Sequence, residues 1–533
     1  MNLKNALIVV IILLLAVLML AREEGEPMSL GLADCIGLAV KENLGLRVEQ
    51  LGYQVSRWDL VSNRGLFAPV FSLWYNHDQT RSPSASLLEG ADVTEGQSDV
   101  LGVTLDQALP LGGQVEFYFG ESRYETNSTF YNLNPRFDAR LQIEVVQPLL
   151  RDFGDRVARR DILAARYRQD SRYQSLKEAL QELVYRVENA YWDLVYSRMN
   201  LEVKQESVQA ARRLLAINRK KLQAGTIPEL EILTARSQVA TRESEIIQAR
   251  ANIRDAEDTL ADLLNVQLNT GGSEDRIVPR DVPASFSSYE PPALSVVLDR
   301  IRREDPRILR LKAELENRGL DVRYYQNQIL PELDVIARLW TTGLSGDEII
   351  FEDNDVFNRV PVDIIRRDMW LSIRDALKGI YNNWSVSLNL QLPLFNAAAR
   401  ADLRKARLEF QQARLSLLDA QRVVIRNLQS SRRGILTNRE KLLAYVAASK
   451  LARAQLEAEE KKFKAGVSTN YQVLKAQENY EENRSAEVQA AIDLRKAIIL
   501  FQKNTGSLLE EKGIVCTPGG KIRPEEVGQR QSE

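Results

Sequence analysis

The chain contains Leu222-Gln-Ala-Gly225-Thr-Ile-Pro-Glu-Leu-Glu-Ile-Leu233 and, further on, Phe463-Lys-Ala-Gly466-Val-Ser-Thr-Asn-Tyr-Gln-Val-Leu474. Each segment follows a long stretch without proline, and in both the final leucine comes eight positions after the glycine. Glycine is the preferred residue for the left-handed conformation that ends a helix. Each segment therefore predicts a turn between two helices, and the recurrence predicts a chain built from two repeats.

Two further landmarks recur in the same order. Asn43 precedes Pro69 by 26 positions, and Asp305 precedes Pro331 by the same distance. The residues before each proline have a helical apolar pattern, which predicts one helix from about 29 to 65 and another from about 292 to 328. Each proline opens an alternating, strand-like run.

The second landmark is the proline of Gln147-Pro148-Leu149, which recurs in Leu392-Pro393-Leu394. Pro148 and Pro393 are predicted to lie at strand-to-helix turns, because proline cannot continue the hydrogen-bonded ladder of a central strand. The landmarks together predict this organisation: a signal peptide at 1–21; a first repeat at 22–290, with strands at about 69–148 and a helical hairpin at 154–265; a second repeat at 291–506, with strands at about 331–393 and a hairpin at 396–504; and a flexible tail at 507–533.

The predicted helices are long and have a narrow apolar stripe. The segment from 154 to 222 would be about 100 Å long as one helix. Its apolar positions are three and four residues apart, at Leu176, Leu180, Leu183, Val187, Tyr191 and Leu194. A stripe of this width is typical of a coiled-coil seam. Because one chain cannot cover such surfaces alone, the pattern predicts an oligomer.

The predicted strands alternate between apolar and polar residues. The apolar positions include Phe71, Leu73, Leu101, Val103, Phe117, Ile143, Val335, Leu339, Val386 and Leu388. A half-buried soluble sheet and a membrane-spanning sheet share this pattern. Lys4 and the apolar run at 6–21 favour the membrane, since they are typical of a secretory signal; an uncleaved anchor helix is the alternative reading of that run.

The composition argues against several classes of protein. With 71 basic and 73 acidic residues, the chain has no excess of positive charge for a nucleic-acid partner. One histidine and two cysteines argue against common metal sites and nucleophilic catalysis. The sequence therefore predicts no catalytic, cofactor-binding or metal-binding residues. Cys516 and Cys35 would form a disulfide only if the fold brought them together.

The ordered landmarks resemble the TolC family of outer-membrane efflux proteins, over about 30–506. The resemblance implies a mainly α fold with membrane β: duplicated helix–strand–strand–long helical hairpin repeats. It also implies a homotrimer, in which an α-helical periplasmic barrel continues into a shared transmembrane β-barrel. The implied location is the outer membrane, extending into the periplasm. The implied partners are outer-membrane lipid, a periplasmic adaptor protein and an inner-membrane pump.

The resemblance also implies a pore gate just beyond the helical turns. Aligning the two glycine turns with those of the family places the gate positions on Glu231, Gln472, Lys475, Ser468 and Phe463. Family members with a ring of paired acids have carboxylates where this chain has Gln472 and Lys475, so a cation-binding ring is not expected. We expect Glu231 to pair with Lys475 across neighbouring helices in the closed state. Two ordinary solvated charges are the alternative.

The turns themselves are the expected contacts with the adaptor. Small residues and accessible backbone at these positions permit close approach of another helical tip. The residues concerned are Ala224, Gly225, Thr226, Ala465, Gly466 and Val467.

The function expected from this resemblance is that of an exit duct in a tripartite efflux system. The duct would passively conduct small molecules from the inner-membrane pump across the periplasm and the outer membrane. Two alternatives are an exit duct for type I protein secretion and a structural coiled-coil protein of the envelope. The second alternative does not account for the alternating strands bounded by proline.

Overall fold

The computed structural model describes residues 28–85, 87–267, 276–281, 289–352 and 360–524. They divide into two compact units. The first unit comprises the described residues within 28–54, 171–311 and 417–524, and the second comprises those within 55–170 and 312–416. The signal peptide expected at 1–21 lies outside the described residues. Within the described ranges, no helix is both long and apolar enough to cross a membrane.

A pair of shorter helices and a long helical hairpin recur in the same order in both halves, and each half also contains additional short helices. In the first half they are α1 (Leu32–Glu42), α2 (Leu44–Arg64), α3 (Asp155–Ala158), α4 (Arg160–Gln223) and α5 (Glu229–Leu264). In the second half they are α6 (Leu294–Glu304), α7 (Pro306–Asn327), α8 (Met369–Lys378), α9 (Ala397–Lys464), α10 (Asn470–Thr505) and α11 (Leu508–Glu511). At ~1.5 Å per residue, α4 and α9 are each about 100 Å long. The duplicated long helical hairpin is therefore confirmed.

The helix expected before each run of strands is instead two helices, broken at equivalent polar residues. Asn43 and Asp305 both adopt an extended conformation, with ψ of 121° and 119°. Asn43 Oδ1 accepts a hydrogen bond of 3.0 Å from the backbone of Leu46, and Asp305 Oδ1 accepts one of 3.2 Å from Ile308. Each side chain therefore caps the second helix of its pair.

The second unit contains a sheet that, among the described residues, has seven strands. These are β2 (Val70–Pro83), β3 (Val93–Ala108), β4 (Gln114–Thr126), β5 (Leu133–Pro148), β7 (Glu332–Phe351), β8 (Pro361–Ile365) and β9 (Tyr381–Gln391). The antiparallel order is β2-β3-β4-β5-β7, and β8 and β9 pair with different parts of β7. In the first unit, β1 (Met28–Leu30) pairs in parallel with β6 (Ile277–Pro279).

The two faces of the sheet differ in polarity. One row across six strands consists of Phe71, Leu105, Phe117, Ile143, Leu339 and Trp384. The neighbouring row consists of Asp106, Glu116, Glu144, Arg338 and Ser385. Because successive side chains of a strand point to opposite faces, these rows lie on opposite sides. The apolar row is largely exposed in the single chain.

The extra hairpin expected near 99–123 is β3 with β4. It lies within the sheet, where β3 pairs with β2 along its whole length and β4 pairs with β5. The second half has a different feature in the corresponding connection between its strands, since α8 lies between β8 and β9.

The core of the first unit contains the predicted seam and also part of the predicted tail. The six seam residues from Leu176 to Leu194 are buried. The expectation of a flexible tail is wrong for 507–524, where α11 precedes a hairpin of β10 (Ile514–Cys516) and β11 (Ile522–Pro524). The Tyr53 hydroxyl donates a 2.6 Å hydrogen bond to the carbonyl of Pro518, and Leu508 is fully buried. Cys35 and Cys516 are buried free thiols.

Candidate functional site: the tips of the helical hairpins

Both helical tips have the same turn geometry. Gly225 and Gly466 have φ of 70° and 82°, as expected for left-handed caps. The backbone N–H of Thr226 donates to the carbonyl of Lys221 at 2.9 Å, and that of Val467 donates to Lys462 at 3.0 Å. These are the six-to-one bonds of a Schellman motif. In each repeat, the glycine therefore occupies a position where the backbone has a positive φ.

The residues expected to contact the adaptor are all exposed. They are Ala224, Gly225, Thr226, Ala465, Gly466 and Val467. Large apolar side chains beside them are exposed too: Val467 is 75 % accessible, Tyr471 is 72 % accessible and Leu230 is 69 % accessible. The tips thus have exposed apolar side chains next to solvent-accessible backbone.

Glu231 belongs to a polar chain that joins three helices. Asn218 Nδ2 donates to Asn470 Oδ1 at 2.9 Å, and Asn470 Nδ2 donates to Glu231 Oε2 at 2.7 Å. Asn218 and Asn470 are buried, whereas Glu231 is half-buried. Hydrogen bonds between buried polar groups fix relative positions, because losing one partner leaves the other desolvated and unpaired. The chain links α4 to the starts of both return helices, α5 and α10.

Phe463 is buried in the single chain. Its side chain is 3 % exposed and packs with Leu214, Val473 and Leu474. Lys221 Nζ lies 3.6 Å from the centre of the phenyl ring and donates a 2.6 Å hydrogen bond to the Phe463 carbonyl. A cation over an aromatic face is attracted by the ring quadrupole. Phe463 therefore helps to join the ends of the two long helices.

Ser468 and Gln472 organise the second turn. Thr469 and Gln472 form a capping box at the start of α10, in which Thr469 Oγ1 accepts from the Gln472 backbone at 3.3 Å. Ser468 Oγ hydrogen-bonds to Glu459 and lies 2.9 Å from Gln472 Oε1. The hydrogen bond from Ser468 lowers the pKa of Glu459, with a further contribution from Lys462.

Lys475 has a partner on its own helix. Its Nζ lies 3.5 Å from Glu478 Oε2, one helical turn away. Within one chain, Glu231 therefore bonds to Asn470 and Lys475 pairs with Glu478. The Glu231–Lys475 pair, which would join neighbouring copies, stays a prediction.

A cluster of charged residues lies between the helices, about three turns from the polar chain. Lys204 Nζ bonds to Glu481 and to Glu245, the latter at 2.9 Å. Ser207 donates to Glu481, and buried Arg242 donates to the Ser207 carbonyl at 3.0 Å. Ser207, Arg242 and Glu481 line part of a cavity of about 650 Å³ bounded by α4, α5, α9 and α10.

Folding lowers the pKa of Glu481 and raises the pKa of Lys204. Burial by itself would raise the pKa of Glu481, but hydrogen bonds from Lys204 and Ser207 outweigh it and lower the pKa. Burial would lower the pKa of Lys204, but hydrogen bonds to Glu481 and Glu245 outweigh it and raise the pKa. Both groups are therefore held in their charged forms.

Sequence reasoning missed Asn218, Arg242, Glu481 and also Gln477, whose Oε1 accepts a 3.1 Å hydrogen bond from Arg242. Each occupies an inward position of its helix, where the apolar stripe is interrupted. Arg242, for example, lies seven residues from both Ala235 and Ala249, and all three are buried. Polar residues at such seam positions are a known signal for register and partner choice, so the interruption of the stripe was the available clue.

The two strand-to-helix prolines differ in environment. Pro148 is buried at the end of β5, and the next residue, Leu149, donates a 2.7 Å backbone bond to Leu333. Pro393 is exposed, two residues beyond β9. The helix that follows Pro393 starts at Ala397, after Asn396 donates to the carbonyl of Ile329 at 3.0 Å. After Pro148 the short α3 precedes α4, so the long helix begins later than predicted.

A model of a known protein family matches both repeats of the chain. The family model described as "Outer membrane efflux protein" matches residues 35–266 and again residues 297–506. The outer membrane efflux protein BepC of Brucella suis biovar 1 (strain 1330) is 22 % identical over 407 residues, which are 75 % of this chain and 78 % of BepC.

Solved structures share the fold. The outer-membrane channel OprN is 17 % identical, with a TM-score of 0.63, over 89 % of this chain and 90 % of OprN. The Campylobacter jejuni CmeC outer membrane channel is 16 % identical, with a TM-score of 0.61, over 90 % of this chain and 86 % of CmeC. The two matches of the family model cover most of the chain and coincide with its two structural repeats. This chain therefore belongs to the outer membrane efflux protein family and serves as an outer-membrane exit duct of an efflux system.

Proposed function

We propose that three copies of this chain form one passive duct for small molecules. The observation that carries this proposal is an unpartnered apolar stripe on α2. Leu44, Val48, Leu51, Val55 and Trp58 are spaced four and three apart, and each is more than half exposed. Exposed apolar surface costs about 25 cal/mol for each Å². A heptad stripe of this kind favours packing against another helix, and a second copy supplies one.

The edges of the sheet support the same assembly. β2 lies at one edge and β9 at the other, and among the described residues each of these long strands pairs with another strand along one side only. Open edges of this length are normally covered or paired. We propose that β2 of one copy pairs with β9 of the next, so that the apolar row meets lipid and the polar row lines the conduit.

The helical tips are proposed as both the gate and the adaptor contact. Three copies would bring three sets of the Asn218–Asn470–Glu231 chain together at the narrow end. Glu231 of one copy and Lys475 of the next would then hold the gate closed. The exposed tips, with Leu230, Val467 and Tyr471, would receive the periplasmic adaptor, and the inner-membrane pump would supply the energy.

Planar-bilayer conductance of the detergent-extracted protein, measured together with its native mass, tests the proposal. We expect a species of three chains that gives small, discrete conductance steps. A soluble, non-conducting species would support the alternative of an envelope coiled-coil protein. A cell-based assay separates the substrates: restored export of a small dye supports efflux, whereas restored secretion of a protein without dye export supports type I secretion.

A further inference from the structure

α8 lies on the apolar face of the sheet. Ser345 Oγ donates a 3.0 Å hydrogen bond to the carbonyl of Asp368, the N-cap of α8, and Thr341 Oγ1 donates to the carbonyl of Ala376. Thr341 and Ser345 share a face of β7 with Leu339, because alternate residues of a strand point to the same side. Leu339 belongs to the apolar row. The helix is therefore packed on the side that outer-membrane location places towards lipid.

The contact between α8 and the sheet is close and specific. A Cβ atom on Gly343 would lie 1.8 Å from the carbonyl oxygen of Ser372, so only glycine permits this approach. Ser372 and Ala376, one turn apart, are buried against the sheet. Ser372 Oγ also donates to buried Glu121 at 3.1 Å. Small residues on both sides thus hold the helix against the sheet by backbone proximity.

The outward face of α8 carries two large apolar residues together with the exposed cationic side chains of Arg374 and Lys378. Trp370 is 65 % exposed and Leu377 is 64 % exposed. Ile380 and Trp384 continue this exposed apolar surface beyond Gly379, which ends the helix at φ 66°. Large apolar side chains on the exposed side of a helix are unfavourable in water and favourable in an apolar environment. Tryptophan at such positions is typical of the boundary between membrane and water.

The register of the sheet gives the depth of α8. Val70, Pro148, Glu332 and Gln391 lie at the end of the sheet from which the long helices leave. Along β7, ten residues separate Leu333 from Gly343, which is about 33 Å of strand at ~3.3 Å per residue. With a tilt of about 45°, this corresponds to roughly 25 Å of depth, the height of the apolar band of a membrane sheet. α8 therefore lies at the far boundary of that band.

The charges on α8 and beside its ends fit the same boundary. Arg367 pairs with Glu348 at 2.6 Å, and Arg374 pairs with its neighbour Asp375 at 3.3 Å. Arg366 and Lys378 are exposed near the two ends, and neither forms an ion pair with another residue of the described ranges. Long cationic side chains beside an apolar surface extend towards polar headgroups.

We propose that α8 is an interfacial anchor in the outer leaflet. In this role, Trp370 and Leu377 insert at the boundary of the acyl chains, and Arg366 and Lys378 reach anionic lipid headgroups. The helix would thereby set the depth of the sheet in the membrane. The inference rests on the outer-membrane location of the chain, and it does not depend on the gate or on the transported substrate.

A fluorescent probe on α8 tests the proposal. Leu377→Cys is labelled with the environment-sensitive dye NBD in the full chain, and Leu230→Cys, at a tip and similarly exposed, is the matched control. Cys35 and Cys516 are buried, so the unsubstituted chain serves as the labelling blank. The proteins are reconstituted in phosphatidylethanolamine–phosphatidylglycerol vesicles, with or without bromine on the acyl chains.

We expect blue-shifted emission and at least twofold quenching by brominated chains at Leu377→Cys, with neither effect at Leu230→Cys. Emission typical of water, quenched by iodide to the same extent as the control, would overturn the anchor. Blue-shifted emission without quenching by brominated lipid would also overturn it, since protein would then cover the helix. Ile380→Cys provides a second labelled position.

The role of the headgroups has its own comparison. The double change Arg366→Gln and Lys378→Gln should reduce the quenching about twofold in vesicles with phosphatidylglycerol, and not in vesicles of phosphatidylcholine alone. If the double variant changed the quenching by the same factor in both kinds of vesicle, the headgroup contact would be overturned. Conductance steps from the same preparations report on the duct separately, so quenching with no conductance would count against the proposed function and not against the anchor.

Discussion

Asn470 Nδ2 lies 2.7 Å from Glu231 Oε2, so the first residue of one return helix holds a carboxylate at the start of the other. Glu231 belongs to the first repeat and Asn470 to the second. Because Asn470 also accepts a bond from Asn218, one buried amide connects both repeats near their tips. A single substitution can therefore loosen the end of the conduit where the gate is proposed.

Asn470→Ala should destabilise the helical tips and raise single-channel conductance. The change leaves buried Asn218 and half-buried Glu231 without their shared partner, and an unpaired buried polar group such as Asn218 costs about 1–3 kcal/mol. Thermal unfolding and planar-bilayer recording measure the two effects. Asn483→Ala is the control, since the Asn483 amide bonds within its own helix, to Asn479. Equal effects of the two changes would contradict a special role for Asn470.

Replacing both Glu231 and Lys475 with alanine should also raise conductance. A partly exposed ion pair contributes at most about 1 kcal/mol, but three pairs would act together in a trimer. The matched control is Glu478→Ala, which removes only the partner that Lys475 has within its own chain. Unchanged conductance in the double variant would rule out a pair between copies.

Acid should destabilise the hairpins through Glu481. The pKa of Glu481 is lowered in the folded chain, so its stabilisation is present above the unfolded value of 4.5 and is lost as the pH falls through the folded value. The pKa of Lys204 is raised above 10.5, so its contribution is present below 10.5 and is lost in strong alkali. The Lys204–Glu481 pair therefore stabilises the folded hairpins between these two pH limits.

Circular dichroism of the helices against temperature, at pH 7 and at pH 3, measures this effect. Glu481→Gln should cost about 1–3 kcal/mol at pH 7, the scale of a charged hydrogen bond. The variant should then lose less stability than the wild type between the two pH values. Glu482→Gln, at an exposed neighbour, should behave like the wild type. A variant with the full acid sensitivity of the wild type would exclude Glu481 as the group that titrates.

Thr469→Ala should weaken the second turn. The change removes the side-chain oxygen that accepts from Gln472, and the loss of such a cap costs typically ~1 kcal/mol. Thr469→Ser keeps the oxygen and should retain most of the stability. Thermal unfolding of the two variants, compared side by side, measures the difference. Equal melting temperatures would show that the capping box contributes little.

Gly343→Ala should displace α8 from the sheet. The added methyl group would overlap backbone atoms of Ser372, which cannot move without the whole helix. Limited proteolysis after the exposed Arg374 and Lys378 should become faster, by severalfold. Gly379→Ala is the contrasting change: its methyl group would lie 3.9 Å from Thr341 Cγ2, an ordinary contact, but its φ of 66° strains the end of the helix. Unchanged proteolysis in Gly343→Ala would contradict the close contact.

Much of the architecture was predictable because its signals are local. Gly225 and Gly466 mark turns because few other residues adopt their conformation without strain. The alternation around Phe71 and Leu339 identifies strands because side chains of a strand alternate between its faces. Leu176 to Leu194 identify a buried seam because the helical period brings those positions to one side.

Other features were not predictable from local signals. The tail at 507–524 is polar enough to suggest flexibility, yet Leu508 and the hydroxyl of Tyr53 fix it in the core. Phe463 was expected at a gate, but its burial depends on Lys221, Leu214 and Val473 from other helices. The position of α8 depends on Gly343, although from the sequence alone a glycine within a strand predicts only a weaker strand.

The sequence by itself determined the two repeats, the long hairpins, the turns between them and the alternating strands. Each of these follows from backbone preference or from the period of apolar residues, and both act over a few neighbouring positions. Only the tertiary structure decided that Asn218, Asn470 and Glu231 meet, that Lys204 bonds to Glu481, and that α8 covers Gly343. Those contacts join distant parts of the chain, and they depend on which faces of the helices and strands come together when the apolar surfaces are buried.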